Sequence, residues 1–526
     1  MLRASGNRVG GSGAAATPLA AAPRARRRGA AAAAAAAAAP AVVPAAQQAV
    51  DPRFPVIDHR EQCRELRAKL CQETLAGGLI YVSGGDLAHR NGADVYHKFR
   101  PSSDFAYLTG VCEPGFGALI DPESQRFVLV APKVPAEAAV WWGGLPSADA
   151  LAEAAGADEC IYAEDLPAYV KARHGGVETL HVREQDHPDA MAAALALPGA
   201  RGHQASQAQQ LAGLQGAAAA GAVPSAAFLG AALARARATK TAAEVGCLLA
   251  ASAGSGAGHA AMWAAAAPGV TEFQLEAAFV HAAALRGLTA LGYPCIVGAG
   301  RNAAVLHYER NAATLAEGDL VLVDAGAEFR CYTADISRTF PASGTFKAPQ
   351  RDVYDLVLAL QEGALRRMRP GVPWADVQAA ARAELVDGLA ALGLVRGSTE
   401  ELLEQGIDRV FMPHGLGHHL GLDVHDVSPD GPVPAGRLEA GHVLTVEPGV
   451  YFMPLLLERA FADPAQARCL NRAALEGLVP LGGVRIEDNV LLTSDEGGGG
   501  GVFNITLAAG VPKRAEEIEA LMAAAR

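Results

Sequence analysis

Residues Met412–Gly449 read MPHGLGHHLGLDVHDVSPDGPVPAGRLEAGHVLTVEPG. Four histidines, His414, His418, His419 and His425, fall within twelve positions, among glycines that offer no apolar surface and cost backbone entropy. Imidazole is the commonest metal ligand, so the stretch predicts a metal site rather than core packing. A strand-like run, Val443–Val446, then delivers Glu447 onto Pro448-Gly449. Such a site needs further donors from elsewhere in the chain.

Three acids outside the stretch meet that need. Asp324 closes the apolar run Leu320–Val323. An unpaired buried carboxylate is costly, so an acid there faces solvent, is paired or binds a cation. Asp335 follows eleven residues on, a spacing that allows a tight hairpin with the two carboxylates side by side. At that range they repel unless a proton or a cation lies between them. Glu487 follows Val484-Arg485-Ile486. Singly, each acid reads as a loop or cap residue, and Arg338 or Arg485 could make an ordinary ion pair with one of them. Together, four carboxylates and one histidine form an oxygen-rich set suited to hard or borderline divalent ions such as Mn²⁺, Co²⁺ or Zn²⁺. Their charge suffices for two ions, a combination that polarises a carbonyl and activates water.

The whole chain of 526 residues carries a formal charge of −12, which argues against nucleic acid or an anionic membrane as the main partner. Eight cysteines are scattered without a CxxC pair, predicting reduced thiols rather than a disulfide scaffold or zinc ribbon. Residues 1–50 hold six Arg, no acid, and the alanine run Ala30–Ala39, too short to span a bilayer. This composition matches an organellar transit peptide or a disordered extension. The expected localisation is cytoplasmic, or chloroplast or mitochondrion if the leader is a transit peptide.

The predicted organisation is a leader (1–55), an α/β N-terminal domain (56–198), a linker (199–225) and a catalytic domain (226–526). The first domain opens with a helix over His59–Glu73, a strand over Gly78–Val82, and a hairpin of Gly117–Ile120 and Arg126–Val130 about the turn Asp121-Pro122-Glu123. The linker is Gln/Ala/Gly-rich with no apolar period. Ala226–Trp263 reads as a helical region whose alanine face lets helices pack closely, and Thr271 as the N-cap of the next helix. Tyr293–Val297 and Val305–Tyr308 read as strand-like.

The ordered segments Asp324-Ala325-Gly326, Asp335-Ile336, Pro413–His418, Asp423–Asp426, Val446–Gly449 and Arg485-Ile486-Glu487 resemble the pita-bread metallopeptidases. Phe411–His418, Leu444–Phe452 and Gly482–Glu487 are prolidase-like over whole segments, and Phe99-Arg100, Asp104-Phe105 and Cys112–Gly115 resemble the N-terminal domain shared with aminopeptidase P. The resemblance implies an α+β protein, with an α/β N-terminal domain before a pita-bread catalytic domain. It implies two divalent ions, Mn²⁺ above others, on Asp324, Asp335, His418, Glu447 and Glu487. Asp335 and Glu487 bridge both ions, and a hydroxide between them is the nucleophile. His307, His425 and Glu447 take catalytic roles, the last as proton shuttle. Tyr293, His307, His414 and His425 contact substrate, while His419 has no matching role. The implied reaction is hydrolysis of the Xaa-Pro bond of dipeptides by a homodimer.

One departure bears on the substrate. The resembling dipeptidases carry a longer loop before the Val-Glu-Pro-Gly strand, with an arginine for the dipeptide's C-terminal carboxylate. Here Ser428–His442 is short and Arg437 is its sole arginine. Two other readings therefore stay open: an aminopeptidase P acting on longer Xaa-Pro peptides, and a non-catalytic binding protein on the same fold.

Overall fold

The computed structural model describes residues 51–73, 77–91, 93–174, 179–195, 205–494 and 500–526. The basic, alanine-rich leader and most of the glycine run Gly497–Gly501 lie outside them. Among the described residues no helix is long and apolar enough to cross a membrane.

The N-terminal part is built on a mixed six-stranded sheet. Its strands are β1 (Leu79–Ser83), β2 (Gly117–Asp121), β3 (Arg126–Ala131), β4 (Glu159–Tyr162), β5 (Thr179–His181) and β6 (Val223–Ser225), in the spatial order β4-β3-β2-β1-β5-β6. β2 and β3 form the expected hairpin, with Asp121 opposite Arg126. Asp121 holds the turn by accepting from the Glu123 amide at 3.0 Å and the Ser124 hydroxyl at 2.6 Å. The opening helix spans His59–Gln72, capped by the Asp58 carboxylate, and buries Cys63, Leu66 and Leu70.

The expected linker is not one. Residues 205–219 form a helix and 223–225 form the sheet-edge strand β6; residues 199–204 of the expected linker lie outside the described residues. The helix escaped the apolar-period test because, apart from Leu211 and Leu214, small and polar residues make up its packed face. A Cβ at Gly213 would collide with the Ala163 carbonyl oxygen. Gln210 accepts from the Ser83 hydroxyl at 2.6 Å and donates to the Gly115 carbonyl at 2.6 Å.

The alanine-rich region resolves into two helices, Leu229–Ala238 and Ala242–Ala265. Thr241 restarts the second with a capping box: its hydroxyl accepts from the Glu244 amide, and the Glu244 carboxylate accepts from the Thr241 amide at 2.8 Å. This helix packs against Glu272–Leu285, where Gly258 leaves room for the Phe279 ring, as the small-residue face predicted.

His259, on the same helix, is fully buried and bonds the Ala325 carbonyl through Nε2 at 3.1 Å. Burial, aided by Arg338, pushes its pKa from 6.5 down to about 3. The unfolded chain therefore binds a proton near pH 6.5 that the folded chain refuses until about pH 3. This contribution to stability is complete above pH 6.5 and is lost as pH falls. Between pH 7 and pH 5 the loss is about 2 kcal/mol. Urea unfolding at the two pH values is expected to show a smaller pH dependence, by that amount, in His259→Gln than in the unsubstituted chain.

The catalytic part holds β7 (Ile296–Ala299), β8 (Leu320–Asp324) and β11 (Ser337–Pro341) in the order β11-β8-β7, all antiparallel. Between β8 and β11 lies a small ladder of β9 (Glu328–Phe329) and β10 (Tyr332–Thr333). The two aspartates are thus carried by a longer excursion than the tight hairpin expected. A second group comprises β12 (Val443–Val446), β13 (Gly449–Tyr451), β14 (Gly483–Arg485), β15 (Asp488–Thr493) and β16 (Gly501–Asn504). β12 pairs with β15, and β13 with β14. The expected strand Val305–Tyr308 is irregular, following a 3₁₀ turn over Gly300–Ala304. Glu272 reorganises this segment, accepting from the Asn302 amide and the Tyr308 hydroxyl, each at 2.9 Å.

Candidate active site

Strand ends deliver the acids. Asp324 ends β8, opposite Ser337 at the start of β11, and Asp335 lies two residues before Ser337. Glu447 follows β12, and Glu487 sits between β14 and β15. The pairs Val446–Asp488 and Gly449–Arg485 share one register, which sets Glu447 opposite Glu487. The two acid-bearing groups meet through β11: the Glu487 amide donates to the Ser337 carbonyl at 3.1 Å, and the Ser337 hydroxyl to the Glu487 carboxylate at 2.7 Å.

Two glycines allow the approach. A Cβ at Gly326 would collide with the Ala334 carbonyl oxygen, and one at Gly417 with that of Thr445. The second contact brings the histidine loop onto β12: the His418 amide donates to the Thr445 hydroxyl at 3.1 Å and the Thr445 amide to the His418 carbonyl at 2.9 Å.

The side chains converge on a cavity of about 210 Å³. Its walls include Asp324, Asp335, His418, Glu447 and Glu487, together with His307, His414 and His425. Tyr293 reaches the same carboxylates, its hydroxyl 2.6 Å from both Asp324 Oδ1 and Asp335 Oδ1. Every residue singled out as a ligand or substrate contact is therefore brought to one place. His419 is buried instead against His442, ring centroids 4.9 Å apart.

Donor atoms of Asp335, His418 and Glu487 all lie within 4.8 Å of one another. His418 Nδ1 is 3.0 Å from the His419 carbonyl, so it donates there and leaves Nε2 facing Asp335 Oδ2 at 3.4 Å and Glu447 Oε1 at 3.6 Å. A hydrogen bond that fixes the tautomer in this way is a common support for a metal-ligating imidazole.

The electrostatics fit a cation. Burial and the neighbouring Asp335 push Asp324 up to about 6, and burial pushes Glu447 up to about 7. Burial and Asp335 hold Glu487 well above the usual carboxylate range. Burial disfavours the His418 imidazolium, yet Asp335 and Glu447 raise it to about 9. The single Tyr293 proton cannot serve both aspartates, so one of them must itself be protonated or share a cation. Arg485 offsets part of the negative charge; divalent cations on these oxygens, with a neutral His418 Nε2 as a further donor, would offset the rest.

Arg485 is the residue whose role the sequence reading left open. Its guanidinium donates to Asp324 Oδ2 at 2.8 Å, the Ser337 hydroxyl at 2.8 Å and the Tyr451 hydroxyl at 2.9 Å. Tyr451 in turn meets His414 Nε2 at 2.9 Å. Burial, then the Arg485 charge, push His414 down to about 4, so it faces the cavity as a neutral ring. Arg437 points elsewhere, to the Gly371 carbonyl at 2.6 Å.

The model of metallopeptidase family M24 matches residues 246–494, and that of the aminopeptidase P N-terminal domain matches 63–182. The chain is 34% identical to the human Xaa-Pro dipeptidase over 89% of its own length and 92% of that protein. The chain belongs to metallopeptidase family M24. A probable Xaa-Pro aminopeptidase of Sordaria macrospora is 33% identical over 85% of this chain and 92% of its own. Among solved M24 structures, Pseudomonas aeruginosa aminopeptidase PepP superposes with a TM-score of 0.74 at 30% identity, covering 89% of this chain and 99% of that one. Zinc-substituted Escherichia coli aminopeptidase P in complex with product gives 0.72, with the same identity and coverage. These matches carry the pita-bread fold with its N-terminal domain and identify this M24 chain as a hydrolase.

Proposed function

We propose that the chain is a Mn²⁺-dependent Xaa-Pro dipeptidase. Asp324, Asp335, His418, Glu447 and Glu487 would hold two ions, with Asp335 and Glu487 shared between them. The ions, when bound, supply polarisation of the scissile carbonyl and a water acidic enough to react at neutral pH. Glu447 would act as the proton shuttle, accepting a proton from the attacking water and passing it to the proline nitrogen. His307 and His425 stabilise the charge that develops on the carbonyl oxygen. His414 and Tyr293 orient the substrate.

The convergence of five donors and three further histidines on one small cavity carries this reading. The volume lies below the roughly 300–1,000 Å³ usual for ligand sites, in keeping with a two-residue substrate. The placement of Arg437 favours a second reading. Arg485 is the one arginine lining the cavity among the described residues, and its donors already serve Asp324, Ser337 and Tyr451. A chain with no free arginine for a C-terminal carboxylate would also accept longer peptides, as an aminopeptidase P does. We expect Gly-Pro to be hydrolysed with the higher kcat/KM in Mn²⁺. A higher value for Gly-Pro-Ala would establish the aminopeptidase reading instead. We also assign the working form as a homodimer, which sedimentation of the purified chain tests.

A further inference from the structure

The helix Glu272–Leu285 opens on an acid. At a helix start a carboxylate ordinarily lies in solvent and serves the helix dipole. Glu272 is instead fully buried. Its Oε1 accepts from the Ala299 amide at 2.8 Å and the Asn302 side-chain amide at 2.9 Å. Its Oε2 accepts from the Tyr308 hydroxyl at 2.9 Å and the Ala313 amide at 2.7 Å. All four donors are neutral, and they fill the lone-pair positions of an acceptor-only carboxylate. Every one belongs to the segment 299–313, which supplies Leu306 and His307 to the active-site wall.

One side chain thus holds both ends of that segment and its middle. Ala299 ends β7, whose Ile296 lies opposite Asp324 of β8. At the far end the Glu272 amide donates to the Ala313 carbonyl at 2.9 Å, and the Leu315 amide to the Val270 carbonyl at 2.8 Å. One turn along the helix, Glu276 accepts from the Asn311 side chain at 2.9 Å, and Asn311 accepts from the Val297 amide of β7 at 3.0 Å. In the middle, the Tyr308 hydroxyl also accepts from the Asn302 side chain at 2.9 Å. Tyr308 directly follows His307, so this bond anchors the neighbour of the residue in the cavity wall.

We propose that Glu272 is a positioning residue for His307, acting through Tyr308 and Asn302 to set where that imidazole stands relative to Asp324 and to the peptide. The inference rests on the substrate role given to His307 above. Glu272→Gln keeps the shape of the side chain but turns an NH₂ group toward two of the four donors. The Tyr308 hydroxyl can rotate to accept, whereas a main-chain N–H cannot. Whichever way the new amide lies, the N–H of Ala299 or of Ala313 loses its acceptor.

The test joins amide hydrogen exchange to a double-mutant cycle, on the full chain in Mn²⁺ with Gly-Pro or Gly-Pro-Ala, whichever it turns over faster. In Glu272→Gln, exchange is expected to quicken over 299–313, and kcat/KM to fall roughly ten- to a hundredfold. The loss is expected on the same constant, kcat or KM, on which His307→Ala loses. In the His307→Ala background the glutamine is expected to cost less than about twofold, because coupled residues are not additive. Tyr308→Phe removes one donor and leaves the carboxylate, so it is expected to give the same pattern at smaller size even if Glu272→Gln does not fold. Unchanged exchange over 299–313, or an equal fold-loss with and without His307, overturns the inference. Full turnover in His307→Ala overturns the substrate role of His307 itself, and the inference with it.

Discussion

Asp335→Asn is expected to abolish Mn²⁺-dependent hydrolysis of Gly-Pro and, with it, thermal stabilisation of the chain by Mn²⁺. Asp335 meets both the tyrosine and the histidine of the site. It lies beside Tyr293 Oη at 2.6 Å and His418 Nε2 at 3.4 Å, within the group of donors 4.8 Å across. The amide keeps the shape and the backbone bonds to Asn489, whose side-chain oxygen accepts from the residue 335 amide at 3.1 Å. What it removes is one negative charge and one anionic oxygen. If the ions supply several kcal/mol of transition-state stabilisation, the loss in kcat is roughly a thousandfold or more. A variant that keeps turnover within tenfold would remove Asp335 from the site. Melting with and without Mn²⁺ separates lost binding from lost chemistry, because a ligand that binds only the folded state raises its stability.

The second large effect is structural. Arg338 is fully buried on β11, and its donors are all occupied. It meets Asp488 Oδ1 at 2.7 Å, the Pro512 carbonyl at 2.7 Å, the Ser337 carbonyl at 2.9 Å, the Glu487 carbonyl at 2.7 Å and the Val511 carbonyl at 3.2 Å. Asp488 is equally buried and is shared with Lys513 at 2.8 Å. Burial alone would raise the Asp488 carboxyl; Arg338 and Lys513 hold it well below the usual range. Arg338→Met leaves a buried aspartate half compensated and several carbonyls without donors, at a cost of about 3–5 kcal/mol. Because Arg338 also fixes the backbone of Glu487, Mn²⁺ affinity is expected to fall in the same variant. Arg351→Ala is the control. That arginine pairs with Asp355 and Glu516 on the surface, and its loss is expected to cost under about 1 kcal/mol. Equal destabilisation of the two variants would contradict this account of the buried Arg338–Asp488 pair.

The proposed donors, which line one cavity, were legible because each acid ends or interrupts an apolar run, where an unpaired charge has no ordinary place. The close approaches at Gly417 and Gly326 show only in the fold. Arg485 was not legible. In sequence it was one arginine two residues from an acid, and only the contact of β11 with β14 shows its reach to Asp324, Ser337 and Tyr451. The helix over 205–219 was missed for a related reason. Beside one core leucine, Leu214, it buries glycine, alanine and glutamine, so much of its fit lies in close contact and polar pairing, which hydrophobic periodicity does not register. His307 was assigned a strand that it does not occupy, yet it reaches the cavity through the turn that Glu272 organises.

The central claim is that five groups at the meeting of two small sheets hold two divalent ions. Equilibrium dialysis of the chelator-treated full chain against Mn²⁺ tests it most directly. Two ions bound per chain is the result the account predicts; a chain that binds none, or saturates at one, would contradict it.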